Sequence, residues 1–283
     1  MPRVRIVTDS TADLSPELIR DYGLTVVPLY VRLGDRFYRD GVDLEPARLF
    51  EYVAETGKLP QTSMPTPADF QEVFGRIIAA GDDVLYVALS SRLSGTCQAA
   101  RVAAQALAPE RIAMVDSLNL STGIGQIALY AAELAAAGMP LAELVRRVEA
   151  MVPRVRTSFV IDTLDYLHKG GRCSAMQNVV GSLLRIKPRI EVIDGRLEVA
   201  EKLMGARSKA SNSLLRWCLQ DRERIDLHRV FVTHAAYPEG ASYLAEELRR
   251  ALPFEEILIT EAGAVISSHC GPGTVGILYT LAA

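Results

Sequence analysis

Strand-like and helix-like stretches alternate along this chain, and that alternation restricts the fold more than any other feature. Its sharpest instance is the apolar run Val84-Leu85-Tyr86-Val87-Ala88-Leu89, then Ser90-Ser91-Arg92-Leu93-Ser94-Gly95-Thr96, then the Ala-rich segment 97–107. A β-branched and aromatic run reads as a buried strand, and the Ala-rich segment reads as a helix. The unit is therefore strand, serine-rich turn, helix. In open α/β sheets ligands sit at the carboxyl ends of strands, where such turns lie. A helix start also offers unpaired N–H groups and the positive end of a dipole. Ser94 and Thr96 would add short neutral donors, so the turn suits a carboxylate or phosphate. A plain helix cap accounts for the same serine, and the segment alone admits both readings.

The same alternation runs through the first half. Val4-Arg5-Ile6-Val7-Thr8 predicts a strand ending in Asp9-Ser10, and Ser15-Pro16-Glu17 predicts a capped helix start. Residues 24–33 predict a second strand, 34–43 a polar connector, and 44–56 a short helix. The segment Leu59-Pro60-Gln61-Thr62-Ser63-Met64-Pro65-Thr66-Pro67 carries three prolines. It predicts a stiff extended loop presenting hydroxyls, neither helix nor central strand. Helices follow over 68–80, 121–137 and 140–152, with a strand at 111–115 ending in Asp116-Ser117. A parallel sheet flanked by helices is the expected result. If the three strand ends Thr8-Asp9-Ser10, Ser90-Ser91 and Asp116-Ser117 lie side by side, their polar groups share one rim. In that setting Asp9 and Asp116 are expected to cap local backbone rather than hold Mg²⁺.

Composition shifts near Pro153, and a second α/β domain is expected over 151–283, after a first over 1–150. Its expected elements are a strand at 157–161, short helices at 164–172 and 179–184, and an antiparallel hairpin at 187–203 turning on Asp194-Gly195. Further helices are expected at 208–219 and 240–252, and strands at 229–234, 257–260 and 276–281. With 283 residues, 49% hydrophobic and 23% charged, the chain has ample core for two such domains. A net charge of −3 argues against a nonspecific nucleic-acid surface. The start leads straight into a strand, and the most apolar stretch, 124–137, is short and contains Gln126 and Glu133. A cytoplasmic protein is expected.

Several motifs lose on context. Gly271-Pro272-Gly273-Thr274-Val275-Gly276 spells the dinucleotide fingerprint, but a strand follows it where a helix is needed. Gly123-Ile124-Gly125-Gln126-Ile127-Ala128 fits better, yet no acidic residue follows at the place that a ribose requires. Cys97, Cys173, Cys218 and Cys270 form no Cys-x-x-Cys pair, and the four histidines form no His-Glu-x-x-His. No metal and no cofactor is expected. Gly-x-Ser-x-Gly, Ser-x-x-Lys and the phosphate-loop pattern are absent, so Ser94 has no marked general base. His269, in Ser267-Ser268-His269-Cys270-Gly271, reads either as a satisfied boundary residue or as a donor to an anion.

Seven ordered blocks together resemble the DegV family across essentially the whole chain. They are Val7-Thr8-Asp9-Ser10-Thr11-Ala12-Asp13-Leu14, Thr62-Ser63-Met64-Pro65-Thr66-Pro67, Ser90-Ser91-Arg92-Leu93-Ser94-Gly95-Thr96, Val115-Asp116-Ser117, Leu167-His168-Lys169-Gly170-Gly171-Arg172, Ile186-Lys187-Pro188 and His269-Cys270-Gly271-Pro272-Gly273. Met64 departs from the glutamine common at that place. The resemblance implies a two-domain α/β protein enclosing a long-chain fatty acid. It implies no catalysis by this chain, which instead presents the carboxylate to a separate ATP-using kinase subunit and keeps the acyl phosphate. By motif, Thr62 and Ser94 would hold the carboxylate with His269 beside them. Ser63, Gly95 and Thr96 would support the head-group loop, and Arg172 would face the kinase. The expected ligand and partner are a fatty acid and that kinase, with no nucleic acid and at most transient membrane contact. The residues themselves leave a second function open: an enzyme on a small carboxylate- or phosphate-bearing substrate at the serine-rich strand ends.

Overall fold

The strands β1 (Val4–Asp9), β6 (Asp83–Ala88) and β7 (Ile112–Asp116) lie side by side and parallel, with β2 (Thr25–Val27) outside β1, in the order β2-β1-β6-β7. The computed structural model that shows this describes residues 2–172 and 186–283. Val84 to Ala88 are completely buried, as a parallel strand covered on both faces must be. Successive side chains point to opposite faces. Leu85 and Val87 join one core with Ile124, Ile127, Leu144 and Val148; Val84, Tyr86 and Ala88 join another with Phe70, Phe74, Ala100 and Ala103. The first set comes from α5 (Thr122–Ala136) and α6 (Leu141–Met151), the second from α3 (Pro67–Ala79) and α4 (Thr96–Leu107). A capping box between Thr66 and Asp69 starts α3.

Six strands form the second sheet. They are β8 (Val155–Val160), β9 (Ile186–Ile193), β10 (Arg196–Met204), β11 (Ile225–Ala235), β12 (Glu256–Glu261) and β13 (Thr274–Leu281), in the order β10-β9-β8-β13-β11-β12. All neighbours are antiparallel except β11 and β12. The β9–β10 turn is the expected Asp194-Gly195, with φ of 48° and 77° at its two residues, as a two-residue hairpin turn demands. Alternation again divides the strands. Val230, Val232, Ile277 and Tyr279 face α8 (Arg207–Gln220) and α9 (Pro238–Ala251), whereas Phe159, Phe231 and Leu278 face inward to α5. Helix α5 is thus shared by both sheets, and its Gln126 Nε2 donates to the carbonyls of Arg229 and Leu278 at 3.2 and 3.3 Å.

Three expectations change. Residues 24–33 are two strands in two sheets. Pro28 has no N–H to give a ladder, so β2 stays with β1 while β3 (Tyr30–Leu33) pairs with β4 (Arg36–Arg39) and β5 (Gln61–Ser63), in the order β4-β3-β5. The proline-rich segment 59–67 is extended as expected, but three of its residues form β5, an edge strand on which flanking prolines are tolerated. Residues 267–270, for which the sequence predicts no helix, belong to one, α10 (Ala264–Cys270). Ser267 and Ser268 turn their hydroxyls back to the carbonyls of Ala262 and Ala264 at 3.0 and 2.6 Å, which lets them sit fully inside. Three other α-helices are α1 (Pro16–Asp21), α2 (Pro46–Thr56) and α7 (Asp165–Gly170), the last beside α10. The helix expected at 179–184, and Cys173, lie outside the described residues. Cys97, Cys218 and Cys270 are free and buried. No described helix is long and apolar enough to cross a membrane.

Candidate ligand-binding site

Thr62 sits on β5 opposite Val31 of β3, so its side chain turns to the buried side of that small sheet. There its Oγ1 lies 2.8 Å from Nε2 of His269, on the last turn of α10. The other ring nitrogen, Nδ1, is buried without a partner among the described residues. A β-carbon on Gly170 would stand 2.5 Å from it. Only a glycine lets the end of α7 close against the imidazole. Burial, helped by the nearby positive charge of Arg172, pushes the His269 pKa down to about 4. The ring is neutral at ordinary pH.

The opposite end of α10 is held by two carboxylates from the first half of the chain. The Gly263 N–H donates to Asp13 Oδ1 at 2.8 Å, and the Ala264 N–H donates to Asp40 Oδ1 at 2.7 Å. Asp13 also accepts from the Ser121 hydroxyl. Burial raises the pKa of both acids, that of Asp40 to about 6. Although it belongs to the second half in sequence, α10 packs on β3, β5 and α2. Its position, and so that of His269, is set across the two halves.

The serine-rich loop completes the site. The three strand ends do meet on one rim, because β1, β6 and β7 are neighbours. Asp9 accepts from the N–H groups of Thr11 and Leu89 and from the Tyr86 hydroxyl, and Asp116 accepts from the N–H groups of Ser91 and Leu118. Both therefore cap backbone, as expected. Ser94 Oγ lies 2.8 Å from Thr96 Oγ1 and accepts from the Thr96 N–H. Thr96 is buried, so it steadies Ser94 from behind. Gly95 permits a close approach: a β-carbon there would stand 2.9 Å from the Met64 sulfur. One cavity brings together Thr62, Ser63, Met64, Ser94, Arg172 and His269. Arg172 is exposed at its mouth, donating to the Gly170 carbonyl.

A second cavity continues inward and shares Leu120, Leu197, Ile266 and His269 with the first. Its walls come from the inner face of the large sheet, from α10 and from Leu120 and Ser121 just before α5, with Leu167 of α7, and its surface is almost wholly apolar. The two adjoin through these shared residues, with a hydroxyl–imidazole head in the first and an almost wholly apolar lining in the second. Among the described residues no group of three or more His, Cys, Asp or Glu could hold a metal ion. Sequence reasoning missed Gly170, whose signal was the Lys-Gly-Gly-Arg block, and missed Asp13 and Asp40 as the anchors of α10.

The model of the DegV family, described as an uncharacterised protein family, matches residues 3–281. The chain belongs to the DegV family. A DegV domain-containing protein of Streptomyces coelicolor is 39% identical over 279 residues, covering 98% of each chain. Among solved structures, a fatty-acid-binding DegV family protein from Thermus thermophilus is 37% identical and covers 99% of each chain with a TM-score of 0.90. Bacillus subtilis DegV, itself described as a fatty acid binding protein, is 30% identical. It covers 99% of this chain and 100% of its own, with a TM-score of 0.88. The two-domain α/β architecture is that of these DegV structures.

Proposed function

We propose that this DegV protein binds one long-chain fatty acid, with its carboxylate at Thr62, Ser94 and His269 and its tail in the apolar channel. It then presents that carboxylate to a separate ATP-dependent kinase subunit in the cytoplasm and carries the acyl phosphate. Residues 1–150 supply the head-group loops and 151–283 complete the channel. The observation that carries this reading is the pairing of a neutral Thr62–His269 head with an apolar cavity behind it. Neutral donors hold a carboxylate while leaving one oxygen free to attack a phosphoryl group, whereas a bidentate arginine would occupy both. Each methylene buried in such a channel contributes about 0.8 kcal/mol, so the tail supplies affinity and the head supplies register. The fatty acids bound by the Thermus and Bacillus relatives support the same ligand class. Arg172, exposed at the mouth, has the placement for meeting the kinase.

Native mass spectrometry of the purified chain is the test. A bound mass equal to a fatty acid is expected, and addition of kinase and ATP should increase it by one phosphoryl group. Protein that arrives empty and binds no added fatty acid would overturn the reading.

A further inference from the structure

One position on the wall of the inner cavity carries no side chain. Across the large sheet, Gly276 of β13 stands between Phe159 of β8 and Thr233 of β11, each directly opposite it in register. All three line the inner cavity. Side chains opposite each other on neighbouring strands share a face, so the row reads aromatic, nothing, threonine. A β-carbon at Gly276 would stand 3.1 Å from both the Phe159 β-carbon and the Ser158 carbonyl oxygen, and 3.5 Å from Leu278 Cδ1. The glycine lets the two strands close to this distance and leaves no side chain on the wall between Phe159 and Leu278, a shallow notch. Hydroxyls around it are already engaged. Thr157 donates to Asn119 Oδ1, Thr274 donates to the Cys270 carbonyl, and Thr233 lies between Thr122 and Thr260 at 2.6 and 2.9 Å. Nδ1 of His234 is taken by the Tyr237 N–H.

We infer that this notch is the tail stop of the channel: Gly276, with Phe159 beside it, sets how long an acyl chain fits, and the end that it accepts is a bare methyl. The inference rests on the fatty-acid reading above. It gives the last glycine of the Gly-Pro-Gly-Thr-Val-Gly run a role that has nothing to do with nucleotides. A methyl at Gly276 shortens the channel, and a smaller side chain at Phe159 lengthens it. Each methylene that no longer fits weakens binding about fourfold. A hydroxyl at the tail end would exchange water for an almost wholly apolar lining, which weakens binding by about tenfold or more.

Wild type, Gly276→Ala and Phe159→Leu are purified as full chains from the same cells, and the extracted acids are identified by mass spectrometry. Gly276→Ala should shift the profile to shorter acids and Phe159→Leu to longer ones. Wild type should also bind an unsubstituted saturated acid about tenfold or more tightly than its ω-hydroxy derivative, a measurement that needs no variant. A profile unchanged in both variants, or equal affinity for the two acids, would overturn the inference while leaving fatty-acid binding intact. A wild-type chain with no acid and no affinity for one would overturn both.

Discussion

His269 is oriented by what it touches on each side, the Thr62 hydroxyl at Nε2 and the bare backbone of Gly170 at Nδ1. Thr62→Val keeps the shape of the side chain and deletes the hydroxyl. The ring then has no partner at either nitrogen, and the ligand loses a hydrogen bond to a charged group, worth roughly 1.5–3 kcal/mol. Acid affinity, measured by calorimetry, should fall about tenfold or more, and Thr62→Ser should restore most of it. Gly170→Ala should do comparable harm from the other side, because its β-carbon forces the ring to move. The ring also leaves a pH signature. Its folded pKa of about 4 lies below the ordinary 6.5. As pH falls from 6.5 towards 4, the unfolded chain takes up a proton that the folded ring refuses, so stability is lost on the acid side. Above that window the contribution is complete. His269→Gln should remove about 2 kcal/mol of the loss between about pH 7.5 and pH 5, read by urea unfolding. Equal acid-side losses in wild type and variant would show that the ring titrates normally.

Among the elements, α10 links the two halves and was least legible in the sequence. It is seven residues long, buried on nearly every side, and starts with no side-chain cap of its own. A helix covered all round shows no apolar stripe, so periodicity had nothing to detect. The strands β1, β6 and β7 and the β9–β10 hairpin were legible for opposite reasons: full burial made continuous apolar runs, and Asp194-Gly195 marked its own turn. The break at Pro28 was legible in principle, since a proline inside an apparent strand is a warning. At the site, Thr62, Ser94 and His269 came from the family's motifs. Their convergence depends on long-range contacts that no local pattern encodes. The caps of α10 come from Asp13 and Asp40, more than two hundred residues away. Burial holds the Asp40 pKa up near 6, and the negative charge of Asp9 adds to the shift. Its sign is opposite to that of His269. The folded state binds more protons than the unfolded chain between about pH 4 and 6, so this group costs stability above that range and the cost fades as pH falls. Asp40→Asn keeps an acceptor for the Ala264 N–H and removes the buried charge. Stability should rise by on the order of 1–2 kcal/mol above about pH 6, after allowing for lost attraction to the helix dipole, and change less near pH 5. A variant less stable than wild type at neutral pH would mean that the charge on α10 outweighs its desolvation.

Across the whole molecule, polar ties join the halves around the channel. The Ser90 hydroxyl donates to the Gly195 carbonyl at 2.8 Å, so the tip of the β9–β10 hairpin rests on the loop that carries Ser94. Elsewhere Arg229 of β11, its side chain 3% exposed, donates to Glu256 at 2.6 Å, to Glu133 of α5 at 2.9 Å and to the Tyr22 hydroxyl at 2.7 Å. Its guanidinium also lies over the Tyr22 ring, 5.4 Å from the centroid. Tyr22 and Glu133 belong to the first half and Arg229 and Glu256 to the second, so one side chain spans the interface. Removing one partner of a buried pair is far worse than never having built it, and typically costs 3–5 kcal/mol. Glu133 and Glu256 keep 35% and 39% of their side-chain surface in contact with solvent, which lets water relieve part of the strain. For Arg229→Met, with the aliphatic volume kept, a loss of about 2–3 kcal/mol is therefore expected. Arg229→Lys should not recover it, because a single ammonium cannot bond two carboxylates and a hydroxyl in fixed directions. The halves also share α5, so the wild type should unfold in one cooperative transition. With the Arg229 tie gone, the second sheet should release first, and the urea curve should broaden or divide. Bound fatty acid should narrow it again, since a ligand held by both halves stabilises only the joined state. A single transition at the wild-type midpoint, with and without fatty acid, would show that α5 and the apolar core hold the halves together unaided.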